Sequence, residues 1–288
     1  MSTMQYTNLG RSSLKVSRIA LGAMQFGDKK WREWVLDGAE SQQVLRRAVD
    51  AGINFFDSCD FYSSGASEEI LGELLAHVGS REDVVIATKF GNPMGPSVNS
   101  RGYSRKHMRH AVENSLRRLG TDYIDLYQTH IWDPQADVAE LIETAEDLRA
   151  EGKILHFGMT DVPAWQFAKG HYSPSPARPA GGSIAAYQGH YNLLWREYER
   201  EVLPMCEAEG VAFLAYSPLA RGLLASSPEA GETLRARSDE YRSLWYGRES
   251  DRRLCATVRE LAQQHGLSAA QLALAWVLRL GDVARADR

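Results

Sequence analysis

Short β-branched and apolar runs alternate with longer amphipathic runs from one end of the chain to the other. This is the pattern of repeated βα units around a parallel sheet. Seven runs read as strands: RIALGAM from Arg18, INFFD ending at Asp57, VVIATKF around Lys89, YIDLYQTH ending at His130, ILHFGMT ending at Thr160, SIAAYQG around Gln188 and VAFLAYS ending at Ser217. Helical segments lie between them, with Ser41, Ser67 and Ser104 as start signals and a Gly suited to the left-handed cap at each end. Ahead of the first strand, YTNLGRSSLKVS carries turn residues between two short extended stretches. That predicts a hairpin plugging the bottom of a barrel.

Seven or eight βα units in ~250 residues favour a closed (β/α)8 barrel, read as one domain over 1–288, over an open doubly wound sheet. After the first strand the chain reads GAMQFG, with a Gly only at each end, in place of the G-x-G-x-x-G of a dinucleotide-binding fold. No Gly-Lys-Ser/Thr follows to make a P-loop. In a closed barrel the functional groups gather at the carboxyl ends of the strands.

Composition narrows the function classes. The chain has a net charge of -4 and is 24% charged, so an ordered core is expected rather than disorder. No apolar stretch approaches the ~20 residues that span a bilayer, and the amino terminus lacks the apolar run of a secretory signal, so the expectation is a cytoplasmic protein with no membrane partner. Cys59, Cys206 and Cys255 lie far apart with no C-x-x-C pair, which argues against a disulfide framework and a thiolate zinc site. No basic run suggests a nucleic-acid partner.

Asp57 and Tyr62 follow the second strand, Lys89 ends the third and His130 ends the fourth. Each alone has an ordinary explanation: a turn carboxylate, a rim phenol, a solvated amine, a core imidazole. Together at adjacent strand ends they carry a desolvation cost that a purely structural site would avoid. A phenol has an unperturbed pKa near 10 and needs a nearby positive charge to protonate a forming alkoxide near neutrality. Lys89 can supply that charge, Asp57 can hold Lys89, and His130 can orient a carbonyl beside Tyr62. A metal site is not expected, because Lys89 intrudes as a competing cation where His130 and Asp57 would have to ligate.

These residues lie in a chain that resembles the aldo-keto reductases. The resemblance is carried by FFDSCDFYSSGASEEILGELL, VVIATKF, YIDLYQTH, HFGMTDVPAWQ, YQGHYNLLWREYEREVLPMCEAEGV and AYSPLARGLL, and runs from about Leu9 to Leu280. It implies a barrel that binds NADPH or NADP+ in an extended pose and passes hydride to a small-molecule aldehyde or ketone. By position it places the catalytic four on Asp57, Tyr62, Lys89 and His130, with Tyr62 as general acid. The nicotinamide-carboxamide contacts fall on Thr160, Asp161 and Gln188, and the ring-stacking aromatic falls on Tyr216. Ser217, Leu219, Arg221 and Gly222 match the segment that crosses the pyrophosphate, and Gly22 matches a close-approach position after the first strand.

The chain departs from the family pattern in two places. Thr160-Asp161 stands where Ser-Asn is commonest; an ionised Asp161 near the ring would favour the oxidised, cationic nicotinamide. After SAAQLALAWVLRL the family continues with an eighth strand, a basic phosphate-binding segment and a helix, whereas this sequence reads GDVARADR, so the eighth βα unit is expected to be incomplete or missing. Three explanations stay open: a shortened and weakened enzyme, DVARADR as a makeshift eighth strand, or a non-redox barrel acting as lyase, isomerase or cofactor-sensing subunit. Arg285 and Arg288 read as a charged terminus. Finally, residues 220–251 predict a mobile loop over the cofactor, and Trp31 and Trp132 are the expected walls of a substrate pocket.

Overall fold

A computed structural model describes residues 4–174, 181–226, 233–280 and 284–287, the last four by their backbone. The hairpin comes first, with β1 (Tyr6–Asn8) and β2 (Lys15–Ser17) antiparallel and Thr7 opposite Val16. The barrel strands follow: β3 (Ile19–Gly22), β4 (Phe55–Asp57), β5 (Val85–Phe90), β6 (Ile124–Thr129), β7 (Ile154–Thr160), β8 (Ile184–His190), β9 (Ala212–Tyr216) and β10 (Ala284–Asp287). They pair in parallel and close in sequence order, β10 sitting between β9 and β3. The helices are α1 (Gly38–Asp50), α2 (Ala66–Leu75), α3 (Arg105–Leu119), α4 (Val138–Ala150), α5 (Ala164–His171), α6 (Val202–Glu209), α7 (Leu234–Ser238), α8 (Glu240–Trp245), α9 (Glu249–Gln264) and α10 (Ala269–Leu278). Among the described residues no helix is long and apolar enough to cross a membrane.

The strands are buried on both faces, so they read as continuous apolar runs, yet size alternates with period two. Phe55, Val85, Ala87, Leu126, Ala186, Ala212 and Leu214 form one cluster inside the barrel. Their neighbours Phe56, Ile86, Tyr127, Tyr187 and Phe213 belong to the larger cluster under the helices. Leu9 and Val16 of the hairpin join the inner cluster and plug its lower end. Carrying the inward parity up each strand lands on Asp57, Lys89, Gln128, Thr160, Gln188 and Tyr216.

The tail takes the makeshift-strand reading. Ala284, Arg285 and Ala286 pair with Phe213, Leu214 and Ala215, and Ala286 and Asp287 pair with Ile19 and Ala20. The eighth βα unit, expected to be incomplete or missing, thus contributes a strand, and β3 and β9 both pair with it. The side chains of Arg285 and Arg288 lie outside the described residues.

Helix starts differ from the sequence reading at two of three serines. Ser104 caps α3, accepting from the His107 amide at 3.2 Å, and Gly120 closes that helix in the left-handed conformation. α1 begins a turn earlier, because Asp37 and Glu40 form a capping box. Ser41 is then inside the helix and donates to the Leu36 carbonyl at 3.1 Å. Ser67 likewise sits within α2 and donates to the Ala23 carbonyl at 2.7 Å, tying the helix to the turn after β3. Both hydroxyls serve tertiary contacts that local sequence does not encode.

The segment expected as a mobile loop is also more ordered than predicted. Its described parts form α7 and α8, and Asp239 between them is buried and held by Arg221 and Arg235. Residues 227–232 of that segment lie outside the described residues.

Gly10 is the tightest point of the plug. Its φ is +56°, and a Cβ there would stand 2.6 Å from the Gly210 carbonyl oxygen and 2.9 Å from that of Ala185. Backbone atoms cannot swing aside, so Gly10→Ala is expected to cost about 1–3 kcal/mol, seen as a lower midpoint in urea with an unchanged m-value.

Candidate active site

The inward positions of neighbouring strands meet at the carboxyl end of the barrel. Lys89 and Asp57 are both fully buried and form an ion pair between the Lys89 ammonium and Asp57 Oδ1. The ammonium also donates to the Ser58 carbonyl at 2.9 Å. The second carboxylate oxygen, Oδ2, accepts from Gln128 Nε2 at 3.2 Å and from Gln188 Nε2 at 3.1 Å. Leaving one partner of a buried ion pair unpaired costs roughly 3–5 kcal/mol; here both charges are paired and further hydrogen-bonded. Sequence reasoning missed Gln128. Its signal was available, since it shares inward parity with His130 two residues on.

Tyr62 reaches the same rim by a different route. Past β4 comes a turn, Tyr62–Gly65, in which Ser63 (φ 49°) and Ser64 (φ 55°) are left-handed, and Tyr62 at its start lines the cleft above the strand ends. The Lys89 ammonium lies 5.3 Å from the centroid of the Tyr62 ring. The His130 ring stands edge-on to the phenol, with centroids 5.6 Å apart and planes at 86°. Burial first, and the Lys89 charge second, push the His130 imidazole down to about 3, so it is neutral near pH 7. Its Nδ1 faces the Asn92 amide nitrogen at 2.6 Å and the Cys59 sulfur at 2.9 Å. Neither Asn92 nor Cys59 was singled out from sequence.

A cleft of 1580 Å³ opens above these groups. Tyr62 and His130 line its floor; Asp57 and Lys89 lie just beneath. Gly22, Thr160, Asp161, Gln188 and Tyr216 line it, as do Ser217, Leu219, Arg221 and Gly222. Asp161 has φ +51°, and its carboxylate accepts from the Tyr198 hydroxyl at 2.7 Å and the Tyr216 hydroxyl at 2.8 Å. Burial raises its pKa, against the pull of these two hydrogen bonds. The Tyr216 ring is backed by His190, stacked at 5.1 Å, and His190 in turn by Trp195 at 4.9 Å. A flat, supported aromatic face thus borders the cleft.

Two further observations fit a nicotinamide cofactor in this place. The buried Thr160 hydroxyl has no hydrogen-bond partner although it borders the cleft, and buried polar groups rarely go unpaired without a ligand or water to serve. The turn after β9 runs through left-handed Ser217, Ala220, Arg221 and Gly222, strain of about 1–3 kcal/mol per non-glycine residue that clusters at ligand clamps. Arg221 is less free than its sequence position implies, because Asp239 takes Nε at 2.8 Å and Nη2 at 2.9 Å.

The two tryptophans part company. Trp31 lines the cleft, 6.3 Å from Phe61 and 6.4 Å from Tyr62 between ring centroids, and Trp34 lines it beside Trp31. Trp132 does not line the cleft; it packs against Tyr103 at 6.2 Å and the helix-side core. Two residues past His130 the side chain has turned to the opposite face, and Ile131 takes the place at the wall.

The aldo/keto reductase family matches residues 18–284. A Schizosaccharomyces pombe protein named among the aryl-alcohol dehydrogenases is 37% identical, over 96% of this chain and 85% of its own length. Versiconal hemiacetal acetate reductase of Aspergillus parasiticus is 36% identical over 96% and 85%. Norsolorinic acid reductase of Emericella nidulans is 35% identical over 93% and 69%. A family match over nearly the whole barrel, together with relatives above 30% identity, places this chain in the aldo/keto reductase family of oxidoreductases.

Proposed function

We propose that this chain uses NADPH to reduce the carbonyl group of aromatic aldehydes or ketones, with Tyr62 as the general acid. The observation that carries the reading is the buried Lys89–Asp57 pair beside the Tyr62 ring. An ammonium next to a phenol favours the phenolate, and a carboxylate saturated by two glutamine amides keeps that ammonium in place.

Bound NADPH supplies the hydride. The chain's own groups do the rest. Tyr216, braced by His190, offers the face for the nicotinamide ring, and the Thr160 hydroxyl and the free Oε1 of Gln188 serve its carboxamide. The carbonyl oxygen lies between the Tyr62 hydroxyl and the His130 ring. As a C–H bond forms at the carbonyl carbon, charge builds on the oxygen, Tyr62 transfers its proton there, and the phenolate left behind is stabilised by Lys89 and reprotonated from solvent through the open cleft. Arg32, Arg242 and Arg259 also line the cleft and favour the extra phosphate of NADPH over NADH.

The aromatic substrate class is supported by the wall of Trp31, Phe61 and Ile131 and by relatives whose names are those of an aryl-alcohol dehydrogenase and a norsolorinic acid reductase. The non-redox alternative drew its force from the absent C-terminal cofactor-binding segment, of which β10, paired on both sides, supplies the strand; the reductase reading is supported by the relatives named as reductases.

Tyr62→Phe keeps the ring and removes the proton. Turnover of an aromatic aldehyde, followed by loss of NADPH absorbance, is expected to fall about 10²- to 10⁴-fold, with NADPH affinity unchanged; full turnover in the variant rejects the assigned role. Asp161→Asn removes a negative charge beside the ring site. Fluorescence titration is expected to show the ratio of NADP+ to NADPH affinity falling about tenfold, and an unchanged ratio would mean that the carboxylate does not sense the charge of the ring.

A further inference from the structure

His130 has one ring nitrogen committed before any substrate arrives. Asn92 stands two residues past β5, where Gly91 (φ +116°) turns the chain across the rim, and its Nδ2 lies 2.6 Å from His130 Nδ1. Cys59, two residues past β4, brings its sulfur to 2.9 Å from the same nitrogen. An amide NH2 can only donate, whereas the Cys59 thiol hydrogen is turned to the Asp60 carboxylate at 3.4 Å. A proton on Nδ1 would set hydrogen against hydrogen in a 2.6 Å contact, so Nδ1 is the acceptor. In a neutral imidazole that leaves the proton on Nε2, the nitrogen free to face the cleft that His130 lines.

The charged and titratable groups around the ring agree with neutrality. Lys89 lies below on β5, Asp57 is bound to Lys89, and Tyr62 stands edge-on from the connection between β4 and α2. Among the described residues the Lys89 cation is the charged group that acts on the ring, and it opposes a second proton, as burial does. Among the described residues no carboxylate is hydrogen-bonded to Nδ1; Asp60 accepts from the Cys59 thiol instead, at 3.4 Å.

We propose that Asn92 is a positioning residue that locks His130 in the tautomer protonated at Nε2. The ring then offers the substrate's carbonyl oxygen a hydrogen bond while carrying no charge and giving up no proton. The purpose of this lock rests on the reductase reading, but the lock itself is observable without turnover.

The test uses the whole chain labelled with 15N-histidine and long-range 1H–15N correlation, with the His130 signals identified by their loss in His130→Gln. In the unaltered protein near pH 7, Nδ1 is expected to appear unprotonated and Nε2 protonated. Asn92→Asp replaces the donor by an acceptor, so a proton is expected to appear on Nδ1, and kcat for an aromatic aldehyde is expected to fall about 100-fold with KM little changed. Asn92→Leu, which only removes the donor, is expected to give a mixture of both tautomers, and Cys59→Ala to keep the original pattern. Nδ1 protonated in the unaltered protein would overturn the proposal, and so would an Asn92→Asp spectrum identical to it. A protein that reduces no carbonyl yet shows the expected spectra would remove the reductase reading and leave the tautomer assignment standing.

Discussion

A lysine ammonium buried against an aspartate is the constraint around which this barrel is arranged. Removing both charges from water costs several kcal/mol each, and their mutual attraction offsets that only when the remaining lone pairs and protons are also satisfied. Here the satisfying groups come from four places on the ring: Asp57 from β4, Lys89 from β5, Gln128 from β6 and Gln188 from β8, with the Ser58 carbonyl beside them. No single βα unit can assemble this set. The pair is tolerable only in the closed barrel, and so the reactive rim forms only when the fold is complete.

The same dependence explains which parts of the fold were legible in the sequence. Strand positions were, because the period-two packing of small residues inside and large ones outside leaves apolar runs of strand length bounded by turns. The hairpin was legible from its turn residues, and its role as a plug shows in Leu9 and Val16 joining the inner cluster. The serine caps of α1 and α2 were not. Ser41 and Ser67 look like helix starts locally, but an Asp-x-x-Glu box lies one turn upstream in one case and a buried carbonyl of Ala23 claims the hydroxyl in the other. The tail was left open among three readings for a related reason: ARAD is too short and too charged to announce a strand, and the edges of β3 and β9 that it pairs with are distant in sequence. Arg221, Arg235 and Asp239 likewise turn a segment with weak periodicity into two tethered helices.

Within the site, residues on strands were easier to read than residues past them. Asp57, Lys89 and Gln188 follow from parity once the barrel is assumed, and Gln128 would have followed too. Beyond the strand ends, direction is set by turn geometry. Asn92 comes back over the rim because Gly91 turns left-handed, whereas Trp132 points away although it is only two residues from His130. Neither outcome is encoded in hydrophobic pattern. The orientation of Asp161 is of the same kind: a left-handed backbone places its carboxylate under the Tyr198 and Tyr216 hydroxyls.

The electrostatics of the rim divide two tasks between two rings. A neutral imidazole whose pKa is held down to about 3 has no labile second proton near pH 7, so His130 can direct a carbonyl oxygen but is a poor acid. The phenol is the opposite case, since its conjugate base gains from the ammonium 5.3 Å from the ring centroid. Lys89 therefore opposes charging of His130, and under the proposed function the same cation would stabilise the phenolate of Tyr62. Such separation of donor and acid is efficient only if Lys89 stays charged and fixed, which returns the requirement to Asp57 and the two glutamines that hold it. A site in which the lysine moved a few ångströms would lose both effects together.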